Sequence, residues 1–227
     1  MLTLFNKLTN IIDQNLLFIK SYRNVFELKN DNSPVSKGDI FLQKLIIDFF
    51  KSEIENLVII SEELNNAIIQ PVISQPVLII DPIDGTENYV SGLPIWGVAV
   101  SLWYYPIHKF SYIYLPELNK IILSGQRLNY YSSRINGLSS SLNEQLINLI
   151  DFKKEYRIMG CSVFNFYNVI TKSFKTFENT KGAYVWDLIA GLNLALEHGC
   201  KVLVEGRDYN GEFLDPNRKH SFKIINK

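Results

Sequence analysis

Apolar side chains recur at helical spacing in the first part of the chain. Those between Thr3 and Leu28 stand three or four positions apart, which predicts a packing helix that Thr3 caps at its N-terminus. The polar segment from Lys29 to Pro34 is expected to end that helix. A second helical pattern begins at Asp39 and continues toward Ile54.

The next apolar runs are shorter, and several are rich in β-branched residues, which is typical of strands. Strands are predicted at 57–60, 77–80, 95–104, 110–115, 120–123, 202–204 and 222–225, with a polar loop at 65–75. Two further helices are predicted: one opens after Gly160-Cys161-Ser162, and the other runs from Trp186 to a terminating Gly199. The chain therefore mixes helices and strands along its length.

Composition favours a folded protein. Of the 227 residues, 47% are hydrophobic and 13% are aromatic, which excludes disorder as the main state. This length suits one large domain or two small ones. The stretch from Gln126 to Ser141 is rich in Ser, Asn and Tyr, and it is a candidate divide between an N-terminal α+β subdomain, 1–130, and a smaller C-terminal α/β subdomain, 131–227.

The balance of charge indicates no polyanionic partner. Lys and Arg total 23, as do Asp and Glu, so no global field draws the chain to nucleic acid or to an acidic membrane. A small molecule is therefore the default partner. Two cysteines, Cys161 and Cys200, fit a reducing cytoplasm better than a disulfide framework. Polar residues interrupt the segment from Met1 to Lys20, so neither a signal peptide nor a membrane span is expected.

The stretch from Val77 to Tyr89 concentrates the candidate chemistry. A buried strand pattern ends in Asp81, and Asp84 follows three residues later. Gly85 lets the backbone approach a ligand closely, and Thr86 opens a predicted helix whose free N–H groups form an anion site. Two carboxylates beside amide donors suit a divalent cation and a phosphate held together. The structural alternative is a strand end, a helix cap and a turn glycine.

The hexapeptide Asp-Pro-Ile-Asp-Gly-Thr resembles the signature of the inositol monophosphatase superfamily, the lithium-sensitive, magnesium-dependent phosphatases. Three further blocks resemble the family in the correct order: Lys29–Asp39 with Ser36 in place of the usual Thr, Ser61-Glu62-Glu63, and Trp186-Asp187 followed by Gly191. The resemblance implies a layered α/β fold of the αβαβα type, with the site between the two subdomains.

The same resemblance implies the metal ligands. One ion would be held by Glu62, Asp81 and the carbonyl of Ile83, and a second by Asp81, Asp84 and Asp187. The smaller subdomain would contribute Asp187. Two or three Mg²⁺ ions and inhibition by Li⁺ are implied as well.

The remaining roles also follow from the resemblance. The amides of Gly85 and Thr86 would bind the phosphate, and the Thr86 hydroxyl, with Glu62 or Asp39, would orient the nucleophilic water. Substrate contacts are implied for four residues: Asp84, Gly160, Ser162 and Asp187.

Several of these residues also have a structural interpretation. Asp39 would cap the helix that it begins, and Asp187 would complement a helix dipole. Glu62 and Glu63 would be surface acids. Other phosphatase designs fit less well, because Cys161 has no Arg six residues later, and the chain has neither Asp-x-Asp at the central stretch nor a Gly-x-Ser-x-Gly elbow.

The expected substrate is a small phosphorylated metabolite. The Lys29–Asp39 block, Ser61–Glu63 and the short C-terminus resemble the bacterial 3′(2′),5′-bisphosphate nucleotidases, so adenosine 3′,5′-bisphosphate is the leading substrate. Asn88-Tyr89 resembles the inositol monophosphatases instead, although Thr180 stands where inositol-specific relatives often have Glu. An inositol-1-monophosphatase or a related sugar-phosphate phosphatase is the alternative. A non-catalytic regulatory binding protein is a further one, and a homodimer is common among relatives.

Overall fold

The computed structural model describes residues 1–29, 32–64 and 70–226. Asp31 and residues 65–69 of the predicted loop lie outside these ranges. The helices are α1 (Leu2–Ser21), α2 (Lys37–Glu53), α3 (Thr86–Val90), α4 (Glu144–Asn148), α5 (Ser162–Ile170) and α6 (Val185–Glu197). The strands are β1 (Phe26–Leu28), β2 (Pro34–Ser36), β3 (Val58–Ser61), β4 (Pro76–Asp84), β5 (Gly97–Tyr104), β6 (Ile107–Leu115), β7 (Lys120–Leu123), β8 (Ile135–Leu138), β9 (Glu155–Ile158), β10 (Thr176–Ala183), β11 (Lys201–Val204), β12 (Arg207–Asp208) and β13 (His220–Ile225).

One sheet contains five strands in the order β3-β4-β5-β6-β7. Strand β4 is parallel to β3 and antiparallel to β5, and its apolar residues are buried on both faces. Val77 and Ile79 belong to one hydrophobic core, whereas Leu78 and Ile80 belong to the other. Because successive side chains of a strand point to opposite faces, burial on both sides explains the unbroken apolar run in the sequence.

The second sheet contains six strands in the order β12-β11-β13-β10-β8-β9. Helices α1 and α2 cover the outer face of the five-stranded sheet, and α5 and α6 lie between the two sheets. The short α4 contacts β10. The elements therefore form the layered α/β architecture that the resemblance implied.

The N-terminal prediction is wrong at both ends of its helix. Helix α1 starts at Leu2 with Met1 as its cap residue, so Thr3 is inside the helix. The helix stops at Ser21, and the segment Phe26–Leu28 forms β1, which pairs with β2. The backbone groups of β1 form hydrogen bonds with β2, while the side chains of β1 are exposed. Apolar spacing alone could not reveal that pairing.

Other boundaries moved by a few residues. Helix α2 begins at Lys37 rather than at Asp39, and β4 continues past Ile80 as far as Asp84. The predicted divide at 126–141 contains β8, a strand of the second sheet. A subdomain boundary at residue 130 stays a prediction.

Gly191 explains part of the second sequence signature. It lies where α6 meets α5, and a Cβ built at this position would be 2.2 Å from Cγ of Phe166. Real Cβ atoms do not come that close to a neighbouring ring, so the aromatic side chain packs directly on the backbone of α6. The absence of a side chain at 191 therefore lets two helices approach beneath the site.

Candidate active site

The site lies at the carboxyl end of β4, where the strand stops following a regular ladder. Asp81 pairs in register with Ala99 and Asp84 with Gly97, so the register shifts between the two acids. Such an irregularity bends a strand and redirects its side chains. Asp81 and Asp84 therefore both lie at the end of β4, where the strand is irregular.

Three acids converge at this point from distant parts of the chain. Glu62 follows β3, Asp81 belongs to β4, and Asp187 is in the first turn of α6, where its Oδ2 accepts a hydrogen bond of 3.0 Å from the Tyr184 N–H. One carboxylate oxygen from each lies within 4.8 Å of the other two. The geometry brings Glu62, Asp81 and Asp187 together as the sequence predicted, and their role as metal ligands stays a prediction.

The charges in this cluster repel one another. Burial, followed by the charges of Glu62, Asp84 and Asp187, raises the pKa of Asp81 well above its usual value. Burial and the charge of Glu62 likewise raise the pKa of Asp187. Both carboxylate oxygens of Asp81 are buried without a hydrogen-bond partner among the described residues. Hard oxygen donors left unpaired in this way fit a divalent cation such as Mg²⁺, which prefers oxygen ligands.

Asp84 has a different environment from Asp81. Its Oδ2 accepts hydrogen bonds from the Cys161 thiol, at 2.8 Å, and from the Val163 N–H. Burial raises the pKa of Asp84 to about 6, although these donors oppose the shift. One of its oxygens is therefore held at the start of α5, and the residue lines the cavity beside the cluster.

Sequence reasoning missed the contact between Cys161 and Asp84. The Cys161 side chain is buried, at 2% exposure. Burial and the neighbouring Asp84 charge raise the pKa of the thiol, so it remains a protonated donor. A side chain that can donate a hydrogen bond, directly before α5, was the signal that could have revealed the role.

We expect Cys161→Ala to lower turnover roughly fivefold, because it removes a hydrogen bond from a weak thiol donor, worth about 1 kcal/mol. The Mg²⁺ concentration for half-maximal rate should rise as Asp84 loses its orientation. Cys161→Ser should retain the wild-type rate, since a hydroxyl donates as well as a thiol. Steady-state kinetics over a Mg²⁺ series tests this, and an alanine variant with unchanged turnover and Mg²⁺ dependence would show that the contact is only structural.

Ser36, and not Asp39, is the N-cap residue of α2, while Asp39 completes the cap from the first turn of the helix. Its Oδ2 accepts hydrogen bonds from the Ser36 N–H, at 2.8 Å, and the Ser36 hydroxyl, at 2.6 Å, which closes a capping box at the start of α2. Its Oδ1 accepts the Thr86 hydroxyl at 3.3 Å. Burial raises the pKa of Asp39 to about 6. Thr86 also contacts the Ile83 carbonyl oxygen at 2.9 Å, so the three predicted residues are adjacent.

A lysine bridges Glu62 and Glu63. The Lys29 ammonium lies 2.7 Å from a carboxylate oxygen of Glu62 and 2.7 Å from one of Glu63. Burial raises the pKa of Glu63 to about 7. Burial opposes the charge on Lys29, but its two ion pairs outweigh that effect and raise its pKa. Lys29 therefore links the first family block to the acidic pair.

Gly85 must be glycine for two reasons. Its φ is +82°, and an added Cβ would be 2.9 Å from the Cβ of Cys161. Asn88 fastens the adjoining loop, because its Nδ2 donates to the carbonyl oxygens of Ile95, at 2.8 Å, and Met159, at 2.7 Å. The predicted phosphate segment is thus fixed against the start of α5.

A cavity of about 430 Å³ opens beside the acids. Five of the predicted residues line it: Glu62, Asp84, Gly160, Ser162 and Asp187. Sequence reasoning missed another part of the lining, namely Ser139–Ser141, Asn165, Tyr184, Trp186 and Lys219. A larger cavity of about 560 Å³ beside α1 contains none of the predicted site residues.

The layered fold and the acidic cluster beside a polar cavity are those of a metal-dependent phosphatase. Residues 3–150, more than half of the chain, match the model of the inositol monophosphatase family. The protein belongs to that family, whose members are phosphoric monoester hydrolases that depend on metal ions and act on small phosphorylated substrates.

Three individual relatives share about a quarter or less of their residues with this chain. The chain is 25% identical over 207 residues to Nus factor SuhB of Vibrio cholerae, which covers 80% of this chain and 76% of SuhB. The crystal structure of staphylococcal IMPase-I complexed with products superimposes with a TM-score of 0.78 at 21% identity, over 98% of this chain and 87% of that one. An IMPase/NADP phosphatase complexed with Mg²⁺ and phosphate gives a TM-score of 0.75 at 21% identity, over the same shares.

The described part of the chain contains no helix of the length and apolarity needed to cross a lipid bilayer.

Proposed function

We propose that this protein hydrolyses a small phosphate monoester with Mg²⁺, by attack of water and without a phosphoenzyme. The observation that carries the proposal is the buried Asp81 carboxylate, which has no hydrogen-bond partner in the described part of the chain and stands among Glu62, Asp84 and Asp187. The ligand sets are Glu62, Asp81 and the Ile83 carbonyl for one ion, and Asp81, Asp84 and Asp187 for another. Bound ions would polarise the phosphoryl oxygens, lower the pKa of a water and stabilise the leaving oxygen.

The chain's own residues orient the attacking water. The Thr86 hydroxyl lies between Asp39 Oδ1 and the Ile83 carbonyl oxygen, so its position is fixed from two sides. Glu62 or Asp39 accepts the proton of a water held at this hydroxyl, and the raised pKa of Asp39, about 6, makes it a suitable acceptor near neutral pH. The amides of Gly85 and Thr86 hold the phosphate.

Adenosine 3′,5′-bisphosphate is the substrate that we propose first. Thr180, at the position of the inositol-specific Glu, donates its hydroxyl to Asn143 Oδ1 at 2.8 Å and does not line the cavity among the described residues. No carboxylate is therefore available there to bind inositol hydroxyls. An inositol monophosphate or a related sugar phosphate is the second candidate, supported by Asn88 and Tyr89. A regulatory binding role is a third, because the SuhB relative is named a Nus factor.

A substrate panel tests the proposal. Purified protein with Mg²⁺ is given adenosine 3′,5′-bisphosphate, inositol 1-phosphate and histidinol phosphate, and released phosphate is measured. We expect the highest kcat/KM with the bisphosphate. Highest activity on inositol 1-phosphate would favour the second candidate, and release from none of the three would favour the binding role.

Three further predictions remain proposals. We place the protein in the cytoplasm, divide it into subdomains 1–130 and 131–227, and expect a homodimer. The first sheet is built from residues before 130 and the second from residues after it, which supports the division. The shared hydrophobic core between the sheets predicts that the two parts unfold together.

A further inference from the structure

Gly38 is a glycine that its backbone conformation does not require. It lies in the first turn of α2, and its φ is outside the left-handed region, so alanine would fit the same backbone and favour the helix more. A Cβ built at this position would lie 2.8 Å from Cζ of Tyr89 and closer still to the hydroxyl oxygen of that side chain. Glycine at position 38 therefore serves a close approach between α2 and Tyr89.

The Tyr89 side chain is held from several parts of the chain. It is fully buried, and its hydroxyl donates a hydrogen bond to the carbonyl oxygen of Ile19 near the end of α1. The ring of Trp96 meets the Tyr89 ring edge-on, with centroids 5.2 Å apart and an interplanar angle of 74°. The Arg23 guanidinium lies 5.2 Å from the centroid of the Tyr89 ring. The aromatic ring is therefore a fixed surface against which the start of α2 packs.

The sequence neighbours of this contact meet at the candidate site. Asp39 follows Gly38 in α2, and Thr86 opens α3 three residues before Tyr89. The Thr86 hydroxyl donates to Asp39 Oδ1 at 3.3 Å. The contact of Gly38 with Tyr89 and the hydrogen bond of Asp39 with Thr86 thus join the same two helices, so the first limits how closely the partners of the second can approach.

Helix α3 also has an anchor that does not involve α2. Nδ2 of Asn88 donates to the carbonyl oxygens of Ile95 and Met159. A side chain added at position 38 is therefore expected to displace the start of α2, while the predicted phosphate segment at the start of α3 stays in place.

We propose that Tyr89 is a positioning residue for the attacking water, because its side chain, packed against Gly38, fixes the distance between Asp39 and Thr86. The inference rests on the proposed function, in which water is held at the Thr86 hydroxyl. Tyr89 is not among the described residues that line the cavity beside the acids, so it acts through α2 and not on the substrate. Misplacement of a catalytic group by about 1 Å can lower a rate about a hundredfold, so a small shift of α2 is sufficient.

A double-mutant cycle tests the inference, with the member of the substrate panel that gives the highest kcat/KM. Gly38→Ala should lower kcat roughly 10- to 100-fold and change KM less than about threefold, because the phosphate segment does not move. Tyr89→Phe should lower kcat about two- to fivefold on its own. In that background Gly38→Ala should cost less than about fivefold, since a ring released from Ile19 can yield to the added methyl group.

Tyr112→Phe is the matched control for the tyrosine. Tyr112 is also fully buried, and its hydroxyl contacts Thr9 of α1 at 3.4 Å. Both phenylalanine variants remove one buried hydroxyl, so similar changes in Tm are expected, but only Tyr89→Phe should lower kcat. Equal kcat in the two variants would overturn the inference, even if Gly38→Ala failed to fold.

The remaining outcomes separate the inference from the function. Unchanged kcat in Gly38→Ala, or an equal loss of rate in both backgrounds, would overturn the positioning role while the phosphatase activity stands. If the wild type releases no phosphate, the proposed function fails, and crystal structures of the wild type, Gly38→Ala and the double variant then decide the geometry. Loss of the hydrogen bond between Asp39 and Thr86 in Gly38→Ala, with recovery in the double variant, supports the inference. An intact hydrogen bond in Gly38→Ala overturns it.

Discussion

Asp81→Asn is expected to abolish phosphate release and at the same time to stabilise the metal-free protein. The variant loses one of the negative charges that two ions would share, and we expect turnover to fall about a thousandfold or more, equivalent to about 4 kcal/mol. Without metal, the asparagine amide can donate to neighbouring carboxylates, which an ionised Asp81 repels. A gain of about 1–2 kcal/mol corresponds to a Tm increase of roughly 2–8 °C for a chain of this size.

Phosphate release and thermal unfolding in the presence of a chelator test both halves of the prediction. The matched control is Asp48→Asn on α2, where the carboxylate is 61% exposed and pairs with Lys44. That variant should keep both rate and Tm close to the wild-type values. Full activity in Asp81→Asn would contradict the two-ion assignment. A metal-free variant with a lower Tm than the metal-free wild type would show that repulsion among the acids does not destabilise the protein.

The central motif could be predicted from sequence because its physics is local. The buried strand, the acids at its end and the glycine turn lie within a few consecutive residues, Asp81 to Thr86. The three other blocks added Asp39, Glu62 and Asp187 in the correct order. The structure places these residues together, and the raised pKa values follow from that proximity rather than from any single residue.

Other features depend on tertiary contacts that no local pattern encodes. The Cys161 thiol meets Asp84 only because α5 packs against the end of β4, and Lys219 and Asn165 share a cavity only because β13 and α5 flank it. The end of α1 was mispredicted for the same reason, since β1 exists through its pairing with β2. Ordinary residue types in ordinary segments gave no warning of these roles.

Removal of divalent ions is expected to eliminate activity and to lower the Tm, by an amount that depends on pH. At a Mg²⁺ concentration about a hundredfold above Kd, binding to the folded state contributes about 2.7 kcal/mol, or roughly 5–10 °C in Tm. We expect this shift near pH 8. Near pH 5.5 the shift should be smaller, because protons compete with Mg²⁺ for the same carboxylates.

The direction of this pH dependence follows from the raised pKa values of the acids in the metal-free protein. Asp84 has a folded-state pKa of about 6 against 3.8 for the ordinary side chain, and the pKa values of Asp81 and Asp187 are raised as well. Between pH of about 4 and 6 the folded state therefore binds more protons than the unfolded state, and stability falls as the pH rises through this window. Above pH of about 7 the penalty from Asp84 is complete, and the stabilisation by Mg²⁺ is larger than at pH 5.5. Differential scanning fluorimetry with chelator or Mg²⁺ at several pH values measures the difference, and a shift that is equal at pH 5.5 and 8 would contradict binding at these acids.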